Sequence, residues 1–288
     1  MWRAVVITAL IVAAQPAFAS DNKAPVNDET TIAADTIRAF ESNSTDVFSI
    51  FQILLDARAA YDAQDFAQAL THYSIIVKYD DTIEEAVVGL TKSYLAMGQA
   101  DAAKTVLDKT PLATTEVQIL RVMSASMAAP HESAKTILQS GLAQHDDARL
   151  WNLLGNKHAG ERAWAEASFA FMRAEKAGQR PGLLLNNLGL LALQKGELEQ
   201  AEAYLSRAVE HAPQTQKFDS NRRLVLLLNG SYMDALDNLD RDRAANLIAD
   251  AAVIASRRGD AKLADFLRRS AAHYNPLYNP KLKNSVDS

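Results

Sequence analysis

The feature that most narrows the folds open to this chain is a recurrence at 34 residues. Gly155, Ala167 and Ala174 return as Gly189, Ala201 and Ala208, and the series runs on from Gly196 to Gly230 and from Ala201 to Ala235. Upstream, Gln64 and Ala69 return as Gly98 and Ala103. A fixed period of this length marks stacked supersecondary units, none of which buries its apolar face without a neighbour. Inside each unit the apolar residues return at three and four residues, the spacing of one helix face, and 34 residues hold two helices with their turns. Composition agrees, since 48% hydrophobic residues with 11 Gly and 8 Pro in 288 positions describe a helix-rich globular chain.

The residue types at the repeated positions resemble the tetratricopeptide (TPR) pattern. Residues 148–181 supply Trp151, Leu154, Gly155, Trp164, Ala167, Phe171 and Ala174, with His158 where tyrosine is usual; residues 182–215 supply Leu185, Leu188, Gly189, Gly196, Leu198, Ala201, Leu205, Ala208 and Pro213. Looser copies lie at 50–83 and 84–117, carried by Ala57, Phe66, Ala69 and Tyr73 and then by Leu90, Tyr94, Gly98, Ala103 and Leu107, and at 216–243, carried by Leu226, Gly230, Tyr232, Ala235 and Leu239. Residues 118–147 form a degenerate unit, because Ala134 follows Ala103 by only 31 residues, and residues 244–272 read as a helical cap. The resemblance implies an all-α fold, a right-handed superhelical TPR solenoid of antiparallel helix pairs over residues 46–272 with a C-terminal capping helix. At 100° per residue Trp151, Leu154, Gly155 and His158 share the packing stripe of a first helix, and Gly155, Gly189, Ala167 and Ala201 are small where the two helices must approach.

The ends read differently. Met1-Trp2-Arg3, an apolar run over 4–14 and Ala17-Phe18-Ala19 form the three regions of a secretory signal peptide, cleaved after Ala19, and the run is about half of the roughly 20 residues needed to span a bilayer. The expected mature chain is therefore periplasmic, and with no cysteine it has neither disulfides nor a lipid-carrying residue after the cleavage site. Residues 20–45, rich in Asp, Asn, Ser and Thr, read as a flexible segment with a helical turn near 37–40, and residues 273–288, with their repeated Tyr-Asn-Pro step, read as a frayed tail.

Charge and motifs limit the functions. A formal net charge of −5 and a pI near 5.7 argue against a nucleic-acid partner. The six histidines are scattered, no metal-protease, nucleophile-elbow or phosphate-loop motif is present, and His145-Asp146-Asp147 reads as a turn between helices rather than a metal site. The expectation is a protein with no catalytic residues, no metal and no cofactor. The amides stand out instead. On the face of the first helix opposite the packing stripe, or on its flank, lie Arg149, Asn152, Asn156, Asn186, Asn187, Gln194, Lys217 and Asn221. Amides donate and accept, so a ladder of them on the concave side of a solenoid can hold an extended peptide backbone. Arg222 and Arg223 have two readings, pairing with nearby acids or presenting charge to a partner's carboxylate.

Residues 151–269 are further similar to the TPR proteins of tight-adherence (Flp) pilus assembly, the TadD type, through "FDSNRRLVLLLNGSYMDAL" at 218–236 and "LDRDRAANLIADAAVIA" at 239–255. That resemblance implies a scaffold for a protein or extended peptide in pilus or secretion-system assembly. Members of that family are usually outer-membrane lipoproteins, a feature this cysteine-free chain does not share. Two other classes are a periplasmic helical-repeat enzyme or metal-binding protein, marked by a closed pocket of acids or histidines, and a structural oligomeriser using its Tyr-Asn-Pro tail.

Overall fold

Helix boundaries follow local chemistry. Asp65, Thr114, Asp147, Asp240 and Asp260 each accept a backbone N–H from the first turn of the helix they precede, at 2.8 to 3.4 Å. Left-handed residues close the turns after several helices: Gly98, Gly196, Gly230 and Gly259 stand at φ 74°, 89°, 87° and 85°, and Gln64 stands at 63° in the position that Gly98 takes one unit later. The computed structural model describes residues 47–274, in two compact units that divide between Arg162 and Ala163. The signal peptide, the 20–45 segment and the tail beyond 274 lie outside the described residues.

The first unit contains α1 (Val47–Asp62), α2 (Phe66–Tyr79), α3 (Glu84–Ala96), α4 (Ala100–Lys109), α5 (Thr115–Ala128), α6 (His131–Leu142) and α7 (Ala148–Gly160). The second contains α8 (Trp164–Lys176), α9 (Pro181–Lys195), α10 (Leu198–His211), α11 (Gln216–Leu228), α12 (Tyr232–Leu236), α13 (Arg241–Arg257) and α14 (Ala261–Tyr274). In the first unit every helix packs on the next in sequence, and in the second each does so from α8 to α12 and again from α13 to α14; in addition α1 meets α3, α3 meets α5 and α5 meets α7, as α9 meets α11 and α11 meets α13. Helix hairpins stack so that their odd-numbered helices touch along one side, which is the all-α repeat architecture, and no strand occurs among the described residues.

One residue repeats through all of it. The fourth residue of every even-numbered helix is an alanine, namely Ala69, Ala103, Ala134, Ala167, Ala201, Ala235 and Ala264, and each is fully buried. Close approach is visible on the facing helix too: a Cβ added to Gly189 would stand 2.6 Å from Leu205 Cγ and 3.3 Å from the Ala201 carbonyl. The alanine at 134 shows that residues 118–147, irregular in spacing, pack by the same rule. Their early start follows from α4, ten residues long where α2 has fourteen.

The C-terminal end departs from expectation. Residues 244–272 are no single capping helix: α13 and α14 form a closely packed hairpin whose turn is made by Gly259, with its left-handed φ, and Asp260, which caps α14 through Leu263 N–H at 3.0 Å. Ala264 gives this hairpin the same buried alanine as the others.

Candidate functional site

In the first unit, charged side chains on the odd-numbered helices pair from each helix to the next. Arg58 on α1 donates to Glu85 on α3, its Nε at 3.0 Å. Glu116 on α5 receives Lys92 Nζ of α3 at 2.8 Å and both terminal nitrogens of Arg149 on α7, at 2.8 and 2.7 Å. Arg149 also donates to Asp147, the cap of its own helix, at 3.0 Å. The hydrogen bonds from Arg149 outweigh the burial of Glu116 and, with Lys92, hold its carboxyl down at about 2. The same bonds raise Arg149 above the ordinary guanidinium range against its own burial. Arg149 therefore has its guanidinium engaged by two carboxylates. Lys92, Glu116, Arg58 and Glu85 were not singled out from sequence, although opposite charges about one repeat apart on corresponding helix faces mark such rungs. Asn152 and Asn156 of α7 are half-buried.

In the second unit the rungs are amides. Asn221 Nδ2 on α11 donates to Asn186 Oδ1 on α9 at 2.8 Å, and Asn186 Nδ2 donates to Asn187 Oδ1 at 3.3 Å. Both Asn186 and Asn187 are only 2% exposed. This corrects the sequence expectation of an open amide-lined surface there: the two side chains are inside the molecule. The reason is the packing of α9, which touches α8, α10 and α11 and carries buried Leu184, Leu185, Leu191 and Leu193 around much of its circumference. A helical wheel assigns a face opposite the hairpin partner; it does not reveal that the next odd-numbered helix covers part of that face. Asn221, Gln194 and Lys217 stay half-buried. Gln194 Oε1 is shielded and receives no hydrogen bond. Burial lowers the Lys217 ammonium below its usual range.

The two arginines of α11 prove structural. Arg222 donates to Asp219 at 2.9 Å, and Arg223 also pairs with Asp219, while Arg223 Nη1 donates to the carbonyls of Ala235 and Asp237 at 2.9 and 2.8 Å. Burial pushes the Asp219 carboxyl up, but the bonds from Arg223 and Arg222 more than offset it and leave it below the usual range. Arg223 thereby ties off the end of α12, a helix of five residues. Arg121 does the same in the first unit, donating to the Leu107 carbonyl at 2.9 Å and the Thr110 carbonyl at 3.2 Å beyond α4.

Among the described residues no group of three His, Asp or Glu is placed to hold a metal ion, and no helix is long and apolar enough to cross a membrane. His145-Asp146-Asp147 is the turn into α7, its last member spent on the cap.

Hairpins stacked through buried alanines, with polar rungs between their odd-numbered helices, define an all-α helix-pair repeat protein. No protein-family model matches the chain, and no curated protein matches it. Among solved structures it is similar to a Rap protein complexed with competence and sporulation factor, with a TM-score of 0.56 and 18% identity over 88% of this chain and 81% of that one. It also matches PilF of Pseudomonas aeruginosa (TM-score 0.47, 17% identity, 72% of this chain and 99% of that one). A third match is to the Cut9–Hcn1 hetero-tetramer of the APC/C (TM-score 0.49, 15% identity), where 89% of this chain spans 58% of the other. At such identity the Rap likeness shows the fold alone, and that fold is the tetratricopeptide type of helix-pair repeat.

Proposed function

We propose that this chain is an exported, non-enzymatic binding scaffold that holds a protein or extended peptide of a cell-envelope assembly, of the pilus or secretion kind, against the odd-numbered helices within each unit. The observation that carries the reading is the set of rungs. Lys92, Glu116 and Arg149 in one unit, and Asn221, Asn186 and Asn187 in the other, fix neighbouring odd-numbered helices to each other. The polar side chains beside them are held on a prearranged surface, which lowers the ordering cost of binding. Gln194 and Lys217, half-buried on α9 and α11, bring an amide and an ammonium of the kind that suits a partner's backbone and carboxylate groups. The Rap protein's complex with competence and sporulation factor supports the reading by analogy of fold. Export rests on the signal-peptide pattern and the assembly role on the resemblance to tight-adherence TPR proteins.

Fractionation with N-terminal sequencing tests export: the expected product is a periplasmic chain beginning at Ser20, and intact Met1 in the membrane fraction contradicts it. Co-purification from envelope extract tests the scaffold. A pilus or secretion component should be retained by the parent and lost by the Gln194→Glu, Lys217→Glu double variant at unchanged helical circular dichroism. Equal retention by both contradicts the assigned side.

A further inference from the structure

The turn from α11 to α12 closes on Gly230, at φ 87°, and the residue before it is Asn229. No other asparagine of the chain is followed by glycine. The step matters chemically: the backbone nitrogen after an asparagine is one five-membered ring away from the side-chain carbonyl carbon, and glycine brings no Cβ to obstruct the approach. Asn229 is exposed and borders an open cleft with Leu198, Glu199 and Gln200 of α10, so water reaches it. Among the described residues Asn238 and Asn246 are exposed as well, but each is followed by leucine.

Little holds Asn229 in place. It caps the end of α11 at φ −90° and ψ −2°, and its Nδ2 donates to Glu202 Oε2 on α10 at 3.0 Å. Gly230 N–H reaches the Leu227 carbonyl only at 3.3 Å, beyond the usual N–H···O range, while Ser231 N–H closes the turn on Leu226 at 2.9 Å. Helix ends fray, and fraying of this one frees the Gly230 nitrogen and lets ψ of Asn229 rotate toward ring closure. We propose that Asn229 is a self-modifying site, converted through attack by the adjoining backbone into aspartate and isoaspartate. The Gly230 nitrogen bonds to Asn229 Cγ as the bond from Cγ to Nδ2 breaks. The proton lost from Gly230 leaves with the side-chain nitrogen as ammonia; one water then opens the succinimide at either carbonyl, and nothing is oxidised or reduced. Both products set a carboxylate where an amide donated to Glu202, so the tie between α10 and the end of α11 gives way to repulsion between like charges. Isoaspartate also lengthens the main chain by a carbon at the turn. The inference is independent of the partner-binding reading.

The test holds the full-length protein in mildly alkaline buffer at physiological temperature and follows it by peptide mass mapping and isoaspartyl methyltransferase labelling. With no Cβ at position 230, Asn229 should convert about tenfold faster than Asn238 and Asn246. Ring opening at either carbonyl should leave isoaspartate beside aspartate. Equal rates at the three asparagines, conversion of Asn229 only after unfolding in urea, or aspartate without isoaspartate would each overturn the proposal. The consequence for the fold is read by a double-mutant cycle. Asn229→Asp should lower the urea midpoint at neutral pH, and should lower it much less in a Glu202→Gln background, where the amide at 202 can donate to the new carboxylate. A midpoint unchanged by Asn229→Asp, or lowered equally in both backgrounds, overturns the loss of the α10–α11 tie.

Discussion

Asn186 accepts from Asn221 and donates to Asn187, so its side chain is the middle of a buried amide chain between two helices. Asn186→Ala removes both bonds inside a site with little water, and is expected to cost about 1–3 kcal/mol, read as a shift in urea midpoint. Asn156→Ala, at a half-buried position, should change stability by no more than about 0.5 kcal/mol. If the two variants unfold alike, the buried amides are not structural. Gln64 tests the opposite direction. It occupies a left-handed conformation, φ 63°, that costs a residue with a Cβ about 1–2 kcal/mol, against roughly 0.5–1 kcal/mol of added chain entropy for glycine. Gln64→Gly should therefore stabilise by about 0.5–1 kcal/mol and raise Tm by a few degrees; a lower Tm contradicts the strain. The need for glycine at 64 was legible, because the period aligns Gln64 with Gly98. The burial of Asn186 was not, because an amide on a wheel looks the same whether water or another amide meets it.

Among elements, the tightest constraint is the approach of paired helices. Leu205 and the Ala201 carbonyl already fill the space that a Cβ at Gly189 would need. Ala201→Leu, at a fully buried position, should overpack the α9–α10 hairpin and destabilise by about 1–3 kcal/mol. The charged rung of α3, α5 and α7 brings a pH dependence. Glu116 titrates near 2 in the folded chain and near 4.5 when unpaired, so its contribution is complete above about pH 4.5 and is lost as pH falls toward 2. Allowing for its partial exposure, the loss should be about 1–2 kcal/mol across that window. Glu116→Gln should flatten this part of the stability profile relative to the parent. Helix positions and the alanine rule were readable from the period, including the pair at α9 and α10. The final hairpin was read as one cap because a repeat stack needs a polar end, although Gly259-Asp260 spells a helix stop followed by a cap. Rungs such as Lys92–Glu116–Arg149 depend on which helices lie side by side, and a one-dimensional pattern does not carry that.

For the whole molecule, the repeat class was legible in the spacing and the small residues. The particular partner is encoded in side chains that only folding brings together, and of the two readings of Arg222 and Arg223 the structure shows the pairing with an acid: both bond Asp219, and Arg223 also bonds the carbonyls of Ala235 and Asp237. The central claim is that the odd-numbered helices of each unit present the binding side, and in-cell photocrosslinking tests it most directly. Benzoylphenylalanine is placed singly at Asn156, Gln194 and Lys217 on odd-numbered helices, and at exposed Lys104 and Glu199 on α4 and α10. The account predicts ultraviolet-dependent adducts to the same envelope protein from the first three sites and none from the last two. Adducts confined to Lys104 and Glu199, or no adduct from any odd-numbered helix in cells that assemble the envelope structure, would contradict it.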